Sequence, residues 1–434
     1  MNDPQSPDPS DPHQLLRRFG VTLEDARRHA LRPDHLRGAQ ETVIAAPPAR
    51  IRTSAFAAWF QVLDVEDLGQ RLHDLLSPCL VGYALELRQS GRPVLTQQWR
   101  WAKTYADGLA GWTTDTPMHV ASVSKLITAM ALSRLLAQRG LSYDAPIGPW
   151  LPRYWARGPS VDRITFASLM THRSGLFASL ALNDPGSAEF PVMKDQIEIG
   201  AAVPAAQTYR NINFALGRIL VATLSGEMEP GYLDVAGVPA LVALRDSLWD
   251  VLSSRAYAQV VNDRVFAPSG VAARAFDHPA DAALGYAAPP DPNPGWNSQD
   301  LQPASGAVGW HLSVNELLRV LATFRRSGRI VNPARAEAML QAGFGIDLGW
   351  PLESPMGPIY AKGGFWGDNK GRIEQTNAIL LPRNMELVIL ANSPLCAPGV
   401  GFMGQVGTAI VASVRPWYAS LFARLTPRIG AIGG

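Results

Sequence analysis

Strand-like patterning occurs in two widely separated parts of this chain, and that separation constrains the fold more than any other feature of the sequence. The runs VGYALELR (81–88) and PVLTQQWRWAK (93–103), joined by the turn-forming QSGR, predict a hairpin that follows a helix over VEDLGQRLHDLL, which begins at Val65. Strand patterning returns near the other end, in GPIYAKGGF, RIEQTNAILLP and MELVILANS. Strands at both ends with helices between them favour one antiparallel sheet built from both chain ends.

Between the two sets of strands, the chain has helical periodicity and long loops. Helices are predicted over FALGRILVATLSG (214–226), PALVALRDSLWDVLSSRAYAQVV (239–261) and SVNELLRVLATFRRSG (313–328). The stretch 279–306 has the composition of a loop and is too long for a simple connection. We therefore regard it as a candidate for lining a site.

The predicted fold is α+β, an α/β sandwich in which an antiparallel sheet is flanked by helices and carries an inserted, mainly helical lobe. Residues 65–145 and 305–434 would form the sheet domain, and residues 146–304 would form the helical lobe. The chain would close with a helical tail near RPWYASLFARL (415–425).

Residues 1–64 form an N-terminal extension, partly disordered, before this pattern begins. Residues 1–12 are acidic and proline-rich and are predicted to be disordered, whereas LEDARRHALRPDHLR (23–37) predicts a short charged helix broken at Pro33. A dimer arm, a lid and a loose tail are all compatible with such a segment. Since no candidate catalytic residue lies before Val65, we expect the extension to be dispensable for the chemistry.

Composition excludes several classes of function. With 47% hydrophobic and 18% charged residues, the 434-residue chain is an ordinary globular protein. Its 39 basic and 37 acidic residues give a net charge of +2, so neither a nucleic acid nor a membrane surface is an expected partner. No apolar run reaches the ~18 residues that a spanning helix needs. The oligomeric state stays open.

The two cysteines, Cys79 and Cys396, could form at most one disulfide. We expect them to be buried free thiols, as in a reducing compartment. The start of the chain has no apolar region of a secretory signal. Together these features predict a cytoplasmic protein.

The segment HVASVSKLIT (119–128) places Ser122 and Lys125 on one face at the start of an apolar helix, with Gly140 as its expected stop. A serine becomes a good nucleophile when a neighbouring base takes its proton, which a desolvated lysine can do and an arginine cannot. Only five of the 39 basic residues are lysines, so the choice of lysine here is informative. A helix start also offers free backbone N–H groups that can hold an oxyanion.

Ser-x-x-Lys alone is a weak signal, because a helix cap followed by a solvated lysine gives the same pattern. Two further elements strengthen it. Tyr209 and Asn211 form the single Tyr-x-Asn of the chain, in TYRNINFALG, directly before an apolar helix. Lys362, Gly363 and Gly364 lie within a strand-like run, where two glycines allow another backbone or a ligand to approach closely.

With these elements in this order, the chain resembles the serine β-lactamase and penicillin-binding protein superfamily. It is most similar to the class C-like branch, which includes lactamases, DD-peptidases, D-aminopeptidases, carboxylesterases and acyltransferases. ASVSKLITAMALSRLLAQRGLSYDAPIGPWLP resembles the nucleophile helix of that branch and the turn after it. ITFASLMTHRSGL and SGAVGWHLSVNELLRVLATF resemble two further stretches, so that the resemblance covers about residues 65–425.

The resemblance implies a role for each motif residue. Ser122 would be the nucleophile, and Lys125 and Tyr209 would be the pair that transfers its proton. The backbone N–H groups of Ser122 and Phe365 would form the oxyanion hole. Asn211 would hydrogen-bond either the acyl side chain or Lys125.

The strand element carries further implied roles and two departures. Lys362, beside Gly363 and Gly364, would tune Tyr209 or meet a substrate anion. Gly363 stands where the family usually has threonine or serine, a hydroxyl that lactamases and DD-peptidases use to bind the substrate carboxylate, which weakens a reading as a lactam specialist. Arg210 stands where a small residue is usual, so it would narrow the cleft or add a charge to it.

Other residues receive less specific interpretations. We expect structural roles for His119 and His172, because His119 precedes the serine and His172 falls in a structural stretch. Four tryptophans would line an acyl pocket or pack in the core: Trp112, Trp310, Trp350 and Trp366. No metal-ligand spacing, P-loop or Gly-x-Gly-x-x-Gly cluster is present in the sequence, so we infer no cofactor.

These residues predict a cofactor-free serine hydrolase that acts on a small-molecule ester or amide through an acyl-Ser122 intermediate. A transacylase or cyclase would use the same acyl-enzyme with an amine or alcohol as acceptor, and no motif separates the two. β-Lactamase or DD-peptidase activity is a further alternative that would act outside the cytoplasm. A scaffold or binding protein on an inactive hydrolase fold is the alternative from another class.

Overall fold

The computed structural model describes residues 12–30, 60–176, 188–234, 239–289, 293–396 and 401–417. The predicted disorder of residues 1–11, the break at Pro33 and the part of the helical tail after residue 417 lie outside the described residues.

A seven-stranded antiparallel sheet is the centre of the described structure, with strand order β4-β3-β2-β11-β10-β9-β8. Its strands are β2 (Gly82–Gln89), β3 (Arg92–Lys103), β4 (Ala110–Gly111), β8 (Leu352–Ser354), β9 (Gly357–Gly367), β10 (Ile373–Leu381) and β11 (Met385–Ala391). Strands from the two ends of the chain meet where β2 pairs with β11, with Leu85 opposite Ile389. The predicted fold class is therefore confirmed.

Burial along the strands follows their position in the sheet. Every residue of β11 is buried, and so are all but the first of β10, as expected for apolar strands covered on both faces. The hairpin strand β3 lies next to the edge and exposes much of its length. The site described below lies at β9, on the other side of the sheet.

The described helices pack against this sheet and against one another. They are α1 (Pro12–Arg18), α2 (Leu23–Ala30), α3 (Val65–Leu76), α4 (Val123–Gln138), α5 (Phe166–Met170), α6 (Phe190–Ile199), α7 (Ile212–Leu224), α8 (Pro239–Val261), α9 (Val314–Ala322), α10 (Pro333–Ala342) and α11 (Phe402–Ala412). Helix α4 contacts β9 and β10 on one side and α7 and α8 on the other. It is buried along most of its length, as its apolar sequence requires. Among the described residues, no helix is both long and apolar enough to cross a membrane.

Two small sheets complete the described structure. In the first, β7 (Trp310–Leu312) pairs with both β5 (Met118–His119) and β6 (Arg274–Ala275). In the second, β1 (Gln61–Leu63) pairs with β12 (Val414–Pro416). The first sheet fixes the segment that leads into α4.

The prediction of a helical tail near 415–425 is wrong in part, because Val414–Pro416 is a strand. Pairing with β1 satisfies its backbone, and Arg415 lies 3.2 Å from Asp64 and 3.0 Å from Asp67. A partner this distant in the sequence leaves no local signal, so helical periodicity was the only guide.

The prediction that Cys79 and Cys396 are free thiols is also wrong, because the two residues form a disulfide. Their positions are 317 residues apart in sequence, yet the fold brings their Cα atoms to 5.3 Å, a separation typical of disulfides. Spacing along the chain could not reveal this approach. Since disulfides persist mainly in oxidising compartments, the bond weighs against the predicted cytoplasmic location.

Candidate active site

Ser122 is the N-cap residue of α4 and follows the short strand β5 closely in the chain. Val120 N donates to Trp310 O of β7 at 2.9 Å, and Ala121 then turns the chain with a φ of +47°. Ser122 itself has helical angles, with φ −66° and ψ −7°, and is 3% exposed. The hydroxyl therefore lies at a helix start, where the next three backbone N–H groups, those of Val123, Ser124 and Lys125, donate to Val120 O, Ala121 O and Ser122 O.

The structure brings Ser122, Lys125 and Tyr209 together. Lys125 Nζ lies 2.6 Å from Ser122 Oγ and donates to Ala307 O at 3.2 Å. Tyr209 OH lies 2.7 Å from the same serine oxygen. Lys125 is fully buried, and its Nζ is 5.0 Å from the centre of the Tyr209 ring. The predicted nucleophile thus has an amine and a phenol hydroxyl within hydrogen-bond distance of its oxygen.

Helix α7 brings the tyrosine to this point. Tyr209 and Asn211 directly precede α7, which packs closely on α4: a Cβ at Gly217 would lie 2.7 Å from the Thr128 methyl group. Thr208 N donates to His172 O at 2.8 Å, and the rings of His172 and Tyr209 are 4.5 Å apart. Close helix packing and this ring contact together hold Tyr209 over the serine.

Asn211 does not take the contact with Lys125 that was one of its two expected roles. Its side chain is 2% exposed, and its Oδ1 has no hydrogen-bond partner among the described residues. A lysine could bond only to that oxygen. The other expectation, a hydrogen bond to a bound acyl group, stays a prediction, and a buried acceptor without a partner is suited to it.

Lys362 is held by an acidic residue that the sequence analysis missed. Its Nζ forms an ion pair with Asp347 Oδ1, and Asp347 Oδ2 accepts a hydrogen bond from Gly363 N at 2.6 Å. Lys362 is 1% exposed and its Nζ is 4.9 Å from the centre of the Tyr209 ring. The carboxylate compensates the charge of this buried ammonium group. The available signal was an aspartate within the apolar run FGIDLGW, fifteen positions before the lysine.

Strand β9 also reaches the serine backbone. A Cβ at Gly364 would lie 2.4 Å from Val120 O and 3.2 Å from Ser122 N, so only glycine permits this approach. Gly363 N points away from β10, since it donates to Asp347. Backbone groups alternate along a strand, so the N–H of Phe365 also points away from β10. This geometry fits the predicted oxyanion pair of Ser122 and Phe365.

Two buried imidazoles lie near these groups and both act as acceptors. Arg210 N donates to His172 Nδ1 at 3.2 Å, and Gly309 N donates to His119 Nε2 at 3.2 Å. Burial, followed by the charges of Lys362 and Lys125, holds the pKa of His172 well below its usual range. Burial does the same to the pKa of His119. Neutral rings that accept backbone hydrogen bonds fit the structural roles expected for both.

The described cavity next to the tyrosine has a volume of about 540 Å³. His172, Arg210 and Asn213 line one part of it, and small or apolar residues line most of the rest, including Leu176, Ala202, Pro204, Ala205 and Ala206. Arg210, the departure noted in the sequence, therefore contributes a charged side chain to this cavity. The four tryptophans do not line it and are all buried in the core.

Comparison with known proteins finds a family model and curated relatives that match part of the chain. Residues 76–233 match the family model described as Beta-lactamase. Esterase EstB of Burkholderia gladioli is 42% identical over 82 residues, 18% of this chain and 21% of that protein. Esterase/beta-lactamase LipL of Mycobacterium tuberculosis is 32% identical over 124 residues, 28% of this chain and 27% of that protein. The match thus spans about a quarter of the length of these curated relatives.

Solved structures show the same fold over most of the chain. A class C beta lactamase from Rhodobacter sphaeroides has a TM-score of 0.56 at 19% identity, covering 80% of this chain and 99% of that one. A D-amino acid amidase from Ochrobactrum anthropi SV3 has a TM-score of 0.55 at 19% identity, with the same coverage. At these identities the likeness concerns the fold alone.

The chain therefore has a β-lactamase/transpeptidase-like fold. Residues 76–233 of this chain match the β-lactamase family model, and the resemblance inferred from the motifs is confirmed. Proteins similar to it in sequence or fold include esterases, an amidase and a β-lactamase.

Proposed function

We propose that this protein is a serine hydrolase that cleaves a small ester or amide through an acyl-Ser122 intermediate. The position of Ser122 Oγ carries the proposal, since it lies 2.6 Å from Lys125 Nζ and 2.7 Å from Tyr209 OH. Both distances allow direct proton transfer. A buried serine between two such groups can lose its proton as it attacks a carbonyl carbon.

The reaction has two steps that use the same groups. In the first, Ser122 Oγ bonds to the carbonyl carbon, its proton passes to the pair of Lys125 and Tyr209, and that pair protonates the departing alcohol or amine. The N–H groups of Ser122 and Phe365 stabilise the negative oxygen of the tetrahedral intermediate. In the second, water attacks the acyl carbon and the pair takes a proton of the water. The pair then gives that proton to Ser122 Oγ as the bond between this oxygen and the acyl carbon breaks, which releases the acid and the free serine.

The surroundings of Lys362 support a role in tuning Tyr209. Its charge is already compensated by Asp347, and its Nζ is 4.9 Å from the tyrosine ring. A lysine with a buried carboxylate partner is less available to a substrate carboxylate. The positive charge beside the ring nevertheless stabilises a tyrosinate that forms during proton transfer.

Activity on β-lactams has weaker support, although one relative and one structural neighbour are named for it. Gly363 has no side chain to bind a substrate carboxylate, and its N–H is engaged by Asp347. The names of the two curated relatives support an ester as the substrate. Ester hydrolysis is therefore the specific activity that we propose.

Intact-mass spectrometry after incubation with a panel of chromogenic short-chain esters and one penicillin tests the proposal. We expect ester turnover and a transient mass increase equal to the acyl group, located on the peptide that contains Ser122. Turnover that shifts from acid to ester product on adding an alcohol would instead indicate a transacylase. Absence of both turnover and adduct would contradict the proposal and favour a binding protein.

A further inference from the structure

The N-terminal helix α2 is joined to the candidate catalytic lysine by buried contacts that the reaction above does not use. His29 Nε2 on α2 lies 2.6 Å from Asp250 Oδ2 on α8, and each side chain is only 9% exposed. The second oxygen, Asp250 Oδ1, accepts a hydrogen bond from Arg218 Nη2 at 2.5 Å. Arg218 lies on α7 and is fully buried. One carboxylate thus holds both the helix and the guanidinium.

The guanidinium of Arg218 in turn holds the loop that leads to the active site. Its Nη1 donates to Pro303 O at 2.6 Å and lies 3.3 Å from Gln302 O and 3.4 Å from Ser305 Oγ. This loop belongs to the stretch 279–306 that the sequence marked as a candidate for lining a site. It reaches the site through its backbone carbonyls.

The end of this loop bonds directly to the nucleophile helix. Gly306 O accepts from Thr128 Oγ1 at 2.7 Å, and Ala307 O accepts from Lys125 Nζ at 3.2 Å. The loop packs closely on α7, since a Cβ at Gly306 would lie 2.4 Å from Phe214 O. A shift of Arg218 would therefore change the position of the Ala307 carbonyl.

We propose that His29 is a positioning residue, which acts through Asp250 and Arg218 to place the Ala307 carbonyl that holds Lys125 against Ser122. A buried guanidinium keeps its place only while its carboxylate is well bonded. Without His29, Asp250 Oδ2 loses a hydrogen bond of 2.6 Å to α2, and the carboxylate that pairs with Arg218 is held less firmly. This inference rests on the proposed function and replaces the expectation that the N-terminal extension is dispensable for the chemistry.

A fluorophosphonate probe reports the reactivity of Ser122 without a known substrate. Ser122 Oγ bonds to phosphorus, the P–F bond breaks and fluoride leaves, while the serine proton passes through the Lys125 and Tyr209 pair to solvent. Peptide mapping identifies the labelled serine. The probe concentration dependence separates the maximal labelling rate from probe binding, and loss of folded protein would lower the labelled fraction instead.

We expect His29→Ala in the full chain to lower the maximal labelling rate roughly tenfold, with probe binding unchanged. His29→Gln should restore the rate to within about threefold of wild type, because its amide can donate to the same carboxylate oxygen. Arg28→Ala is the matched control on the same helix, and it should label at the wild-type rate, since that side chain is 69% exposed.

Equal maximal rates for folded His29→Ala and wild type would overturn the inference and leave the proposed function intact. If His29→Ala does not fold, His29→Phe retains a ring but has no donor, and labelling as fast as that of His29→Gln would overturn the inference equally. A wild-type protein that is not labelled at Ser122 would instead contradict the proposed function, and this inference with it.

Discussion

The candidate site has a helix side and a strand side, and each contributes one buried lysine. Lys125 on α4 and Lys362 on β9 lie almost equally far from the Tyr209 ring, at 5.0 and 4.9 Å. Their partners differ. Lys125 Nζ contacts the neutral oxygens of Ser122 and Ala307, whereas Lys362 Nζ is paired with the carboxylate of Asp347.

This difference suggests that the two lysines do different work. Lys125 Nζ is in contact with the serine oxygen from which a proton must be taken, whereas Lys362 Nζ is engaged by a carboxylate. We therefore assign proton transfer to the helix side, and a fixed charge and oxyanion N–H groups to the strand side. The following substitutions and a pH series test this division, from the largest expected effect to the smallest.

Removing the nucleophile should have the largest effect. We expect Ser122→Ala to lower ester turnover by about 10³-fold or more, because nucleophile, base and oxyanion hole act as a unit. Steady-state kinetics on folded protein measures this. Ser124→Ala, a buried serine two positions along the same helix, is the control and should keep most activity. Near-native turnover by Ser122→Ala would show that another residue is the nucleophile.

Replacing each lysine by arginine compares the two sides directly. Lys125→Arg should be nearly as damaging as Lys125→Ala, because an arginine cannot accept the serine proton. Lys362→Arg keeps the charge beside Asp347 and should cost only about tenfold, mostly from altered geometry. The measurement compares initial rates of Lys125→Arg, Lys125→Ala, Lys362→Arg and Lys362→Ala. Equal losses for the two arginine variants would contradict the division of labour.

The charge of the substrate separates the two possible roles of Lys362. If Lys362 tunes Tyr209, Lys362→Ala should slow a neutral ester and a carboxylate-bearing ester alike. If it binds a substrate carboxylate, the loss should fall on the anionic ester, as a higher KM worth roughly 1.5–3 kcal/mol. We expect the first result. A loss confined to the anionic ester would exclude our assignment.

A control for the buried pair accompanies that experiment. Lys362→Ala leaves Asp347 buried without its partner, which costs about 3–5 kcal/mol of stability in comparable pairs. The double variant Lys362→Met, Asp347→Leu removes both charges and should unfold at a higher temperature than Lys362→Ala. Rates are compared only where thermal unfolding shows folded protein.

The smallest effect concerns stability against acid around the small sheet of β5, β6 and β7, which leads into α4. Burial, with a smaller contribution from His278, lowers the pKa of His311 to about 3, and burial lowers that of His278 to about 4. The unfolded chain would protonate both near pH 6.5. Stability should be full above that pH and should fall as the pH drops towards 4, because only the unfolded state gains protons there.

Thermal unfolding between pH 8 and pH 4.5 measures this dependence. We expect Tm to fall by roughly 3–6 °C from these two residues. His311→Gln should flatten the curve, while Tyr105→Phe, at a fully solvated ring that is 88% exposed, should leave it unchanged. An unaltered slope in His311→Gln would show that other groups cause the acid sensitivity.

The sequence predicted the helix side of the site better than the strand side. Ser122 and Lys125 are three positions apart on one helix, so helical geometry alone puts them together. Helix α3 and helix α8 were predicted with the bounds that the structure has, from their periodicity. On the strand side, Lys362, Gly363, Gly364 and Phe365 were named from the sequence. The buried ion pair of Lys362 with Asp347 was missed, because Asp347 lies in an irregular segment before β8.

The sequence by itself determined the strands and helices, the chemical types at the site and the order of the motifs, because these depend on local periodicity and on the reactivity of single side chains. Only the tertiary structure decided which distant groups meet. The disulfide of Cys79 with Cys396 and the contact of His29 with Asp250 join positions 317 and 221 residues apart. Such pairs are fixed by the packing of whole elements, and neither partner carries a local signal that names the other.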